Sequence, residues 1–572
     1  MTLTRVDRLN LVGILALGVG LPAILGMLSG AIDVPHNDDF DYRQVALTLW
    51  SSGTLEMRGY SVMALVGQVL FVQPFLWVAG GAPWAFAAAT AVLAVAGLTS
   101  AYVLVRRLLD PGASALAVLA AVVVPGFIVN TTTFMTDIPA FAATFGCLAL
   151  GAAAIGSDGR ISGRLLIAAL AVGLFGVSIR ESALAAPMAV VLVAAVADVR
   201  GPRRLVVAAV IVLAAAAAIH FATAAIPGQG MATFDARDGL ARLRLAFSTV
   251  ALCLGPALIV AIAWWRPRWR VVDVLPGLFV GLFLAWSAVT ELARTGRLPG
   301  MLIGNLFGLY GPAGPGALLG ARPPIYPSQV WLAVQVAAFV ATILVPAVVS
   351  GAIGSTLRHG GLTLDRVRGW SRSTAGLLVA FVAFTEVGLA VYGYAFTMFD
   401  RYLWSIILAA SALLLVRPAS MAGVVDEPDP EPSAPRPRWR VAGLLGAGLL
   451  ASLGVLSVMD LLASDALSAA RWQLGERAVA LGIPAGHIDA GMEWVGFYAT
   501  QDADPGHGPV RGQMWYTGWW PSFHQCAVVS SSKLISPGYV LAVEDHAAYR
   551  QLQPFGSEQP LYLYIVADPA CP

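Results

Sequence analysis

Lysine is almost missing from this 572-residue chain, with Lys533 the only one, so arginine carries any charge asymmetry. Charge of either sign is sparse: Asp, Glu, Lys and Arg make up 12% of the residues and the net charge is +2. That balance offers no basic tract for nucleic acid, and none is expected as a partner. Cysteine is scarce too, at four residues, and no His/Cys grouping has the spacing of a zinc site. The short alternating segments of a transmembrane barrel are absent. No cleavable signal peptide is expected, because the first apolar segment, Leu9 to Gly30, outruns a typical signal core and reads as an anchor.

What the chain has instead is apolar length. It is 58% hydrophobic with a mean hydropathy of +0.75, arranged in Ala/Leu/Val blocks. A bilayer core needs about 20 apolar residues per helix, so the blocks predict a polytopic α-helical membrane protein.

Arginine settles the topology. Both Ser61–Gly80 and Trp84–Val105 are apolar and long enough to span, and if both cross, everything downstream inverts. With Ser61–Gly80 lying in the outer interface, more than half of the 35 basic residues fall in connections on the side of the N-terminus. These include Arg5/Arg8, Arg106/Arg107, Arg160/Arg164, Arg200/Arg203/Arg204, Arg266/Arg268/Arg270, Arg358/Arg366/Arg368/Arg372 and Arg417/Arg436/Arg438/Arg440. Most acids fall opposite, as the positive-inside rule requires. The resulting map has about 13 crossings. They run over 9–30, 84–105, 113–129, 138–156, 165–179, 182–197, 205–226, 246–265, 271–290, 328–350, 373–396, 402–416 and 441–463.

Residues 1–463 then form a membrane module, with outer loops at 31–83 and 130–137 and an inner linker at 418–440. The Gly- and Pro-rich stretch 291–327 reads as a lid or as a plain loop. Residues 464–572 form a small α/β outer domain, opening on a helix-like stretch at Asp465–Leu481 and closing on strand-like runs at Tyr539–Val543 and Leu561–Val566. Its aromatic run Trp515–Trp520 suits either sugar stacking or, more simply, a domain core. Cys526 and Cys571 fall in this outer domain, where a disulfide is permitted; Cys147 and Cys253 sit in apolar spans as small core residues. The expected location is the plasma or inner membrane of a cell envelope, with the N-terminus cytoplasmic and the last domain outside.

The candidate chemistry lies in the outer loops. His36-Asn37-Asp38-Asp39-Phe40-Asp41-Tyr42 puts three carboxylates within four residues just after the first span. On the chosen topology Asp137 faces the same side. Two acidic loops at one face can supply a general base, a hard-metal site such as Mg or Mn, or both. Ile179-Arg180-Glu181 is the tip of a hairpin too short for two full crossings, so its charges sit at depth. Such charge usually marks a site, and Arg180 could hold an anionic lipid headgroup through its planar fork. The alternatives are a structural Arg180–Glu181 pair or a snorkelling arginine. Asp400-Arg401-Tyr402 adds a second cation on the same face.

These residues carry a resemblance. His36–Leu55, with Asp38-Asp39 and Tyr42, is similar to the first outer loop of the GT-C superfamily of polyprenyl-phosphate-sugar-dependent glycosyltransferases. Tyr60–Gly80 resembles that family's interfacial stretch, and Phe134-Met135-Thr136-Asp137-Ile138-Pro139 its second acidic loop. Ser178–Ser182 sits where the family keeps a basic residue; Asp400–Leu403 resembles a late Arg-Tyr motif, and Gly486–Tyr498 the region after the last span. The motifs follow in order along most of the chain, with protein O-mannosyltransferases and lipid A aminoarabinose transferases as the best-known relatives. The chain departs by having Asp39 where many relatives have Glu, and by lacking a recognisable acceptor-binding insert.

The resemblance implies an inverting transferase that moves a sugar from polyprenyl phosphate to an acceptor hydroxyl of a glycan, lipid or protein. It casts Asp38, Asp39 and Asp137 as catalytic, and Arg180 and Arg401 as holders of the lipid phosphate. Tyr42, Arg58, Tyr60, Glu181 and Tyr402 would line the substrate site. The rivals are a secondary transporter or lipid flippase, which would usually show two similar halves, and a lipid-linked polysaccharide ligase.

Overall fold

The structure, a computed structural model, describes residues 3–155, 161–197, 202–230, 234–265, 269–311, 318–320, 323–360, 373–416, 437–499, 503–504, 516–533, 539–551 and 557–571. Among them, eight helices are long and apolar enough to cross a membrane, and a bent pair makes a ninth candidate. That pair, Gly239–Cys253 and Gly255–Ala263, turns by 60° just before Pro256, whose ring and missing N–H cannot continue the ladder. At the remaining four expected crossings the helices are shorter: Pro111–Val122, Gly163–Val177, Ala185–Ala197 and Trp404–Leu414, of 12, 15, 13 and 11 residues. Arg160, Arg200, Arg266, Arg268, Arg366, Arg368, Arg372, Arg417 and Arg436, and most of the expected inner linker, lie outside the described residues.

Ser61–Gly80 forms a helix only over Val66–Ala79, 14 residues with Pro74 inside it. At 1.5 Å per residue this is about 21 Å, short of the ~30 Å hydrocarbon core. Its start is pinned to the hairpin tip, where Leu65 N–H donates to Ile179 O at 3.1 Å and Gly67 N–H to Ser178 O at 3.0 Å. Gly67 is needed there, because a Cβ would stand 2.3 Å from Ser178 Oγ.

Small residues set the approach of the central helices. A Cβ on Gly97, in Trp84–Val105, would lie 2.8 Å from the Cα of Ala142, in Asp137–Ala154. Without water to drive apolar burial, such close packing is what holds helices together in lipid.

The last expected span and the first outer helix are one helix, Pro437–Ala480. No proline or glycine pair interrupts Leu461–Leu474, so the boundary drawn at 463/464 runs through continuous helix. The C-terminal domain follows with a four-stranded sheet in the order Ile488–Asp489, Ala527–Ser530, Ser557–Val566, Tyr539–Gln551. The first pair is parallel and the others antiparallel, with a bulge between Leu541 and His546. Cys526 and Cys571 are disulfide-bonded, which ties the end of the chain to the sheet. His524 stands beside them, but two sulfurs joined to each other are not thiolate ligands for a metal.

The stretch that reads as a lid or a plain loop is anchored over Met301–Phe307. Met301, Ile303, Leu306 and Phe307 are buried, and the N–H groups of Leu306 and Phe307 donate to Asp400. Residues 312–317 and 321–322 of it lie outside the described residues.

Candidate active site

The two acidic loops meet. Asp38 sits at the start of the helix Asp39–Ser52, and Arg401 donates to its Oδ2 through Nη2 at 2.7 Å. Tyr60 O–H donates to the other oxygen at 2.9 Å. The same Arg401 guanidinium reaches Asp137, whose Oδ2 is 3.9 Å from Nε. Arg180 completes the row, its Nη1 paired with Asp137 Oδ1 and hydrogen-bonded to Thr136 Oγ1 at 3.3 Å. The order is therefore Asp38, Arg401, Asp137, Arg180, an alternation of charge drawn from four separate segments. Buried ion pairs of this kind need good geometry to offset desolvation.

Each member is placed by local structure. Asn37, just before Asp38, has a left-handed φ of 55°, and Glu493 Oε1 accepts its N–H at 3.0 Å. Asp137 opens its helix, where a carboxylate meets the positive end of the helix dipole, with Pro139 following in the first turn. Arg180 lies on the tip that the start of Val66–Ala79 holds, and its guanidinium centre is 4.1 Å from the centroid of the Tyr402 ring. Arg401 follows Asp400, which is buried and accepts three backbone N–H groups, from Leu306, Phe307 and Arg401. Burial pushes the Asp400 carboxyl up to about 6, against the pull of those donors.

Asp39 plays a different part. It is fully buried and accepts from Arg43 at 3.1 Å, from His36 N–H at 2.7 Å and from Phe134 N–H at 3.0 Å. Those bonds staple the first acidic loop to the second. Burial pushes its carboxyl up to about 6, opposed by Arg43 and the two N–H groups, and pushes the neighbouring His36 down to about 4.

Of the other expected residues, Tyr60 and Tyr402 join the cluster. Tyr42 is buried, gives its O–H to Met63 Sδ at 3.2 Å and feels the charges of Asp38 and Arg401. Arg58 is drawn elsewhere: its Nη2 donates to Ala499 O at 2.6 Å, holding the loop to the C-terminal domain. Glu181 is exposed, and Arg180 turns from it to Asp137, so the Arg180–Glu181 pair gives way to a cross-loop pair. The aromatic run resolves as core where it is described: Tyr516 and Trp520 are buried, and Trp520 stacks on Tyr60 with ring planes 10° apart. Trp515 lies outside the described residues.

Glu493, Asn37 and Thr136 were not singled out from sequence. All three lay inside quoted motifs, which was their only signal.

A cavity opens beside the charged row. Asp137, Arg180 and Arg401 form its polar end, and Phe141 and Phe381 give it an apolar side. As for a hard metal, Asp38 gives its two oxygens to Arg401 and Tyr60 and Asp137 gives Oδ1 to Arg180, which leaves Asp137 Oδ2 as the one oxygen of the pair without a hydrogen bond, whereas Mg²⁺ or Mn²⁺ would want about six oxygen ligands. The residues do not assemble such a cage.

No protein-family profile and no curated protein sequence matches the chain. Two crystal structures are similar to it over nearly their whole length, both of ArnT from Cupriavidus metallidurans. The apo form is 13% identical, and the form bound to undecaprenyl phosphate 14%. In each case 97% of this chain and 98% of the other are covered, at a TM-score of 0.36. At that score and identity the likeness stands as a likeness only.

Proposed function

We propose that this protein is an inverting glycosyltransferase of the GT-C type. It moves a sugar from a polyprenyl-phosphate donor to an acceptor hydroxyl at the outer face of the plasma or inner membrane. The observation that carries this reading is the row Asp38, Arg401, Asp137, Arg180 beside a cavity with one charged end and one apolar side. A lipid phosphate needs that combination: cations for the phosphate and apolar surface for the chain that follows it.

The acceptor hydroxyl attacks the anomeric carbon while Asp38 takes its proton. Both Asp38 oxygens already accept one hydrogen bond, and each keeps a second lone pair. The bond from the anomeric carbon to the phosphate oxygen breaks, and polyprenyl phosphate leaves with the electron pair. Arg401 and Arg180 meet the charge that develops on it, the electrostatic contribution that is usually largest. Asp137 keeps both guanidiniums aligned, and Tyr60 fixes the Asp38 rotamer. The chain's own residues supply every step, and none is routed through a metal.

The test is Asp38→Asn, which preserves size and the Tyr60 contact but removes the proton acceptor. Transfer should fall by about 10²–10⁴ while binding of polyprenyl phosphate persists. Near-normal turnover would overturn the mechanism. A lipid-linked polysaccharide ligase would share this chemistry and is separated by offering single-sugar and long-chain donors side by side.

A further inference from the structure

We infer that the indole N–H of Trp404 is a ligand of the donor phosphate, acting together with Arg401. The inference rests on the proposed function and names a residue of the same site.

The donors around the cavity are unequally committed. Arg401 spends Nη2 on Asp38, and Arg180 spends Nη1 on Asp137 and Thr136. Arg401 Nε and Nη1 are buried without a hydrogen-bond partner; Asp137 Oδ2, itself without one, stands 3.9 Å from Nε, beyond hydrogen-bond reach. Trp404 Nε1 is a third buried donor with no partner, on a side chain that lines the same cavity. Leaving a buried N–H unmet is costly, and three such donors around one cavity call for an occupant rich in acceptor oxygens. An ester of phosphate is such a group, and it is one that asks for no donor in return.

Backbone geometry explains why these two residues act together. Asp400–Leu403 is a 3-10 turn leading directly into the helix Trp404–Leu414. With three residues per turn, side chains three apart eclipse, so Arg401 and Trp404 stand on one side of the chain. Trp404 is held from behind by Phe127, whose ring meets it edge-on at 5.1 Å. An edge-on aromatic wall packs the indole without giving its N–H an acceptor. A belt tryptophan at a membrane interface would instead place its N–H in the wet headgroup layer, whereas Trp404 is 2% exposed.

The experiment uses the full-length protein in lipid nanodiscs, with polyprenyl phosphate and the uncharged polyprenol as probes. Trp404→Phe keeps the ring and removes the donor; affinity for polyprenyl phosphate should fall about tenfold or more, with polyprenol binding unmoved. If Trp404→Phe does not fold, replacement of Trp404 by 3-benzothienylalanine swaps N–H for sulfur at nearly unchanged shape and carries the same expectation. Arg401→Ala is measured beside them. Loss of phosphate affinity in Arg401→Ala with none in the Trp404 variants overturns this inference alone. Unchanged affinity in Arg401→Ala removes the donor site itself, and the proposed function with it.

Discussion

Glu493 of the C-terminal domain accepts the backbone N–H of Asn37 through Oε1 at 3.0 Å. Its Oε2 is paired with Arg471 at 2.7 Å, so a carboxylate beyond the last span reaches back to the residue before Asp38. A left-handed backbone costs a residue other than glycine roughly 1–2 kcal/mol, and this bond is part of what holds Asn37 there. Burial works against charge on Glu493, yet Arg471 and the Asn37 N–H more than offset it and keep its carboxyl below the usual range. Glu493→Gln leaves Arg471 buried without its counter-charge, which typically costs 3–5 kcal/mol, about 3 here because Gln still accepts one bond. Thermal unfolding should show that loss. The turnover number should fall more than affinity for polyprenyl phosphate, because what shifts is Asp38 and not the phosphate cations. An equal loss in both would reduce Glu493 to a scaffold role.

Asp39 and Asp38 are neighbours with opposite expectations. Asp39 is fully buried and spends its oxygens on Arg43, His36 N–H and Phe134 N–H, whereas Asp38 is bonded to Arg401 and Tyr60 of the charged cluster. Asp39→Asn should therefore cost stability, on the order of 3–5 kcal/mol for the stranded Arg43 charge. Transfer per folded molecule should stay well above that of Asp38→Asn. The check is activity normalised to the folded fraction; a dead but fully folded Asp39→Asn protein would exchange the roles of the two acids.

Arg180 holds Asp137 and lies over Tyr402. Its removal should weaken polyprenyl-phosphate binding by about 1.5–3 kcal/mol, the scale of a hydrogen bond to a charged group. The fold should tolerate Arg180→Ala better than most buried-pair deletions, because Arg401 Nε already stands 3.9 Å from the other Asp137 oxygen. Arg180→Lys should recover only part of the affinity, since a point charge cannot stack on Tyr402 and bridge Thr136 and Asp137 together. Titration of the three proteins with polyprenyl phosphate decides it. Wild-type affinity in Arg180→Ala would return the residue to a structural pair with Asp137.

The helical membrane architecture, the sheet near the C-terminal end and the charged residues that meet in the structure were legible because each has a local signature. Apolar length marks a helix, a carboxylate at a loop marks Asp38 and Asp137, and a shortened hairpin marks Arg180. What sequence could not separate was Asp38 from Asp39, because adjacent acids in one motif look alike until their partners are known. Those partners, Arg401 and Phe134, come from distant segments. The same holds for Glu493, which meets Asn37 across 456 residues. Trp404 follows the Asp400–Leu403 motif directly, but its significance lies in an unmet N–H that no pattern reports. The continuous helix Pro437–Ala480 escaped because a change from apolar to polar residues resembles a boundary, although nothing in the backbone requires the helix to stop there.

The shared site stands on the claim that Val66–Ala79 does not cross the membrane, and side-specific labelling examines it directly. Asp38 and Asp137 are too enclosed for a reagent, but Ser51 and Ser182 are exposed on the segments that carry Asp38 and Arg180. Arg107 is exposed at the opposite end of the helix Trp84–Val105. The native cysteines give a quiet background, since Cys147 and Cys253 are buried and Cys526 is bonded to Cys571. A membrane-impermeant maleimide added outside should label Ser51→Cys and Ser182→Cys, and should reach Arg107→Cys only after the membrane is opened. What sets this 14-residue helix apart from the helices of 11 to 15 residues at expected crossings is its start, which is hydrogen-bonded to Ile179 O and Ser178 O at the hairpin tip. The arginine distribution favours the same arrangement independently. Labelling of Ser51→Cys and Ser182→Cys from opposite faces would place Asp38 and Arg180 on different sides of the bilayer, and no single sugar transfer could then use both.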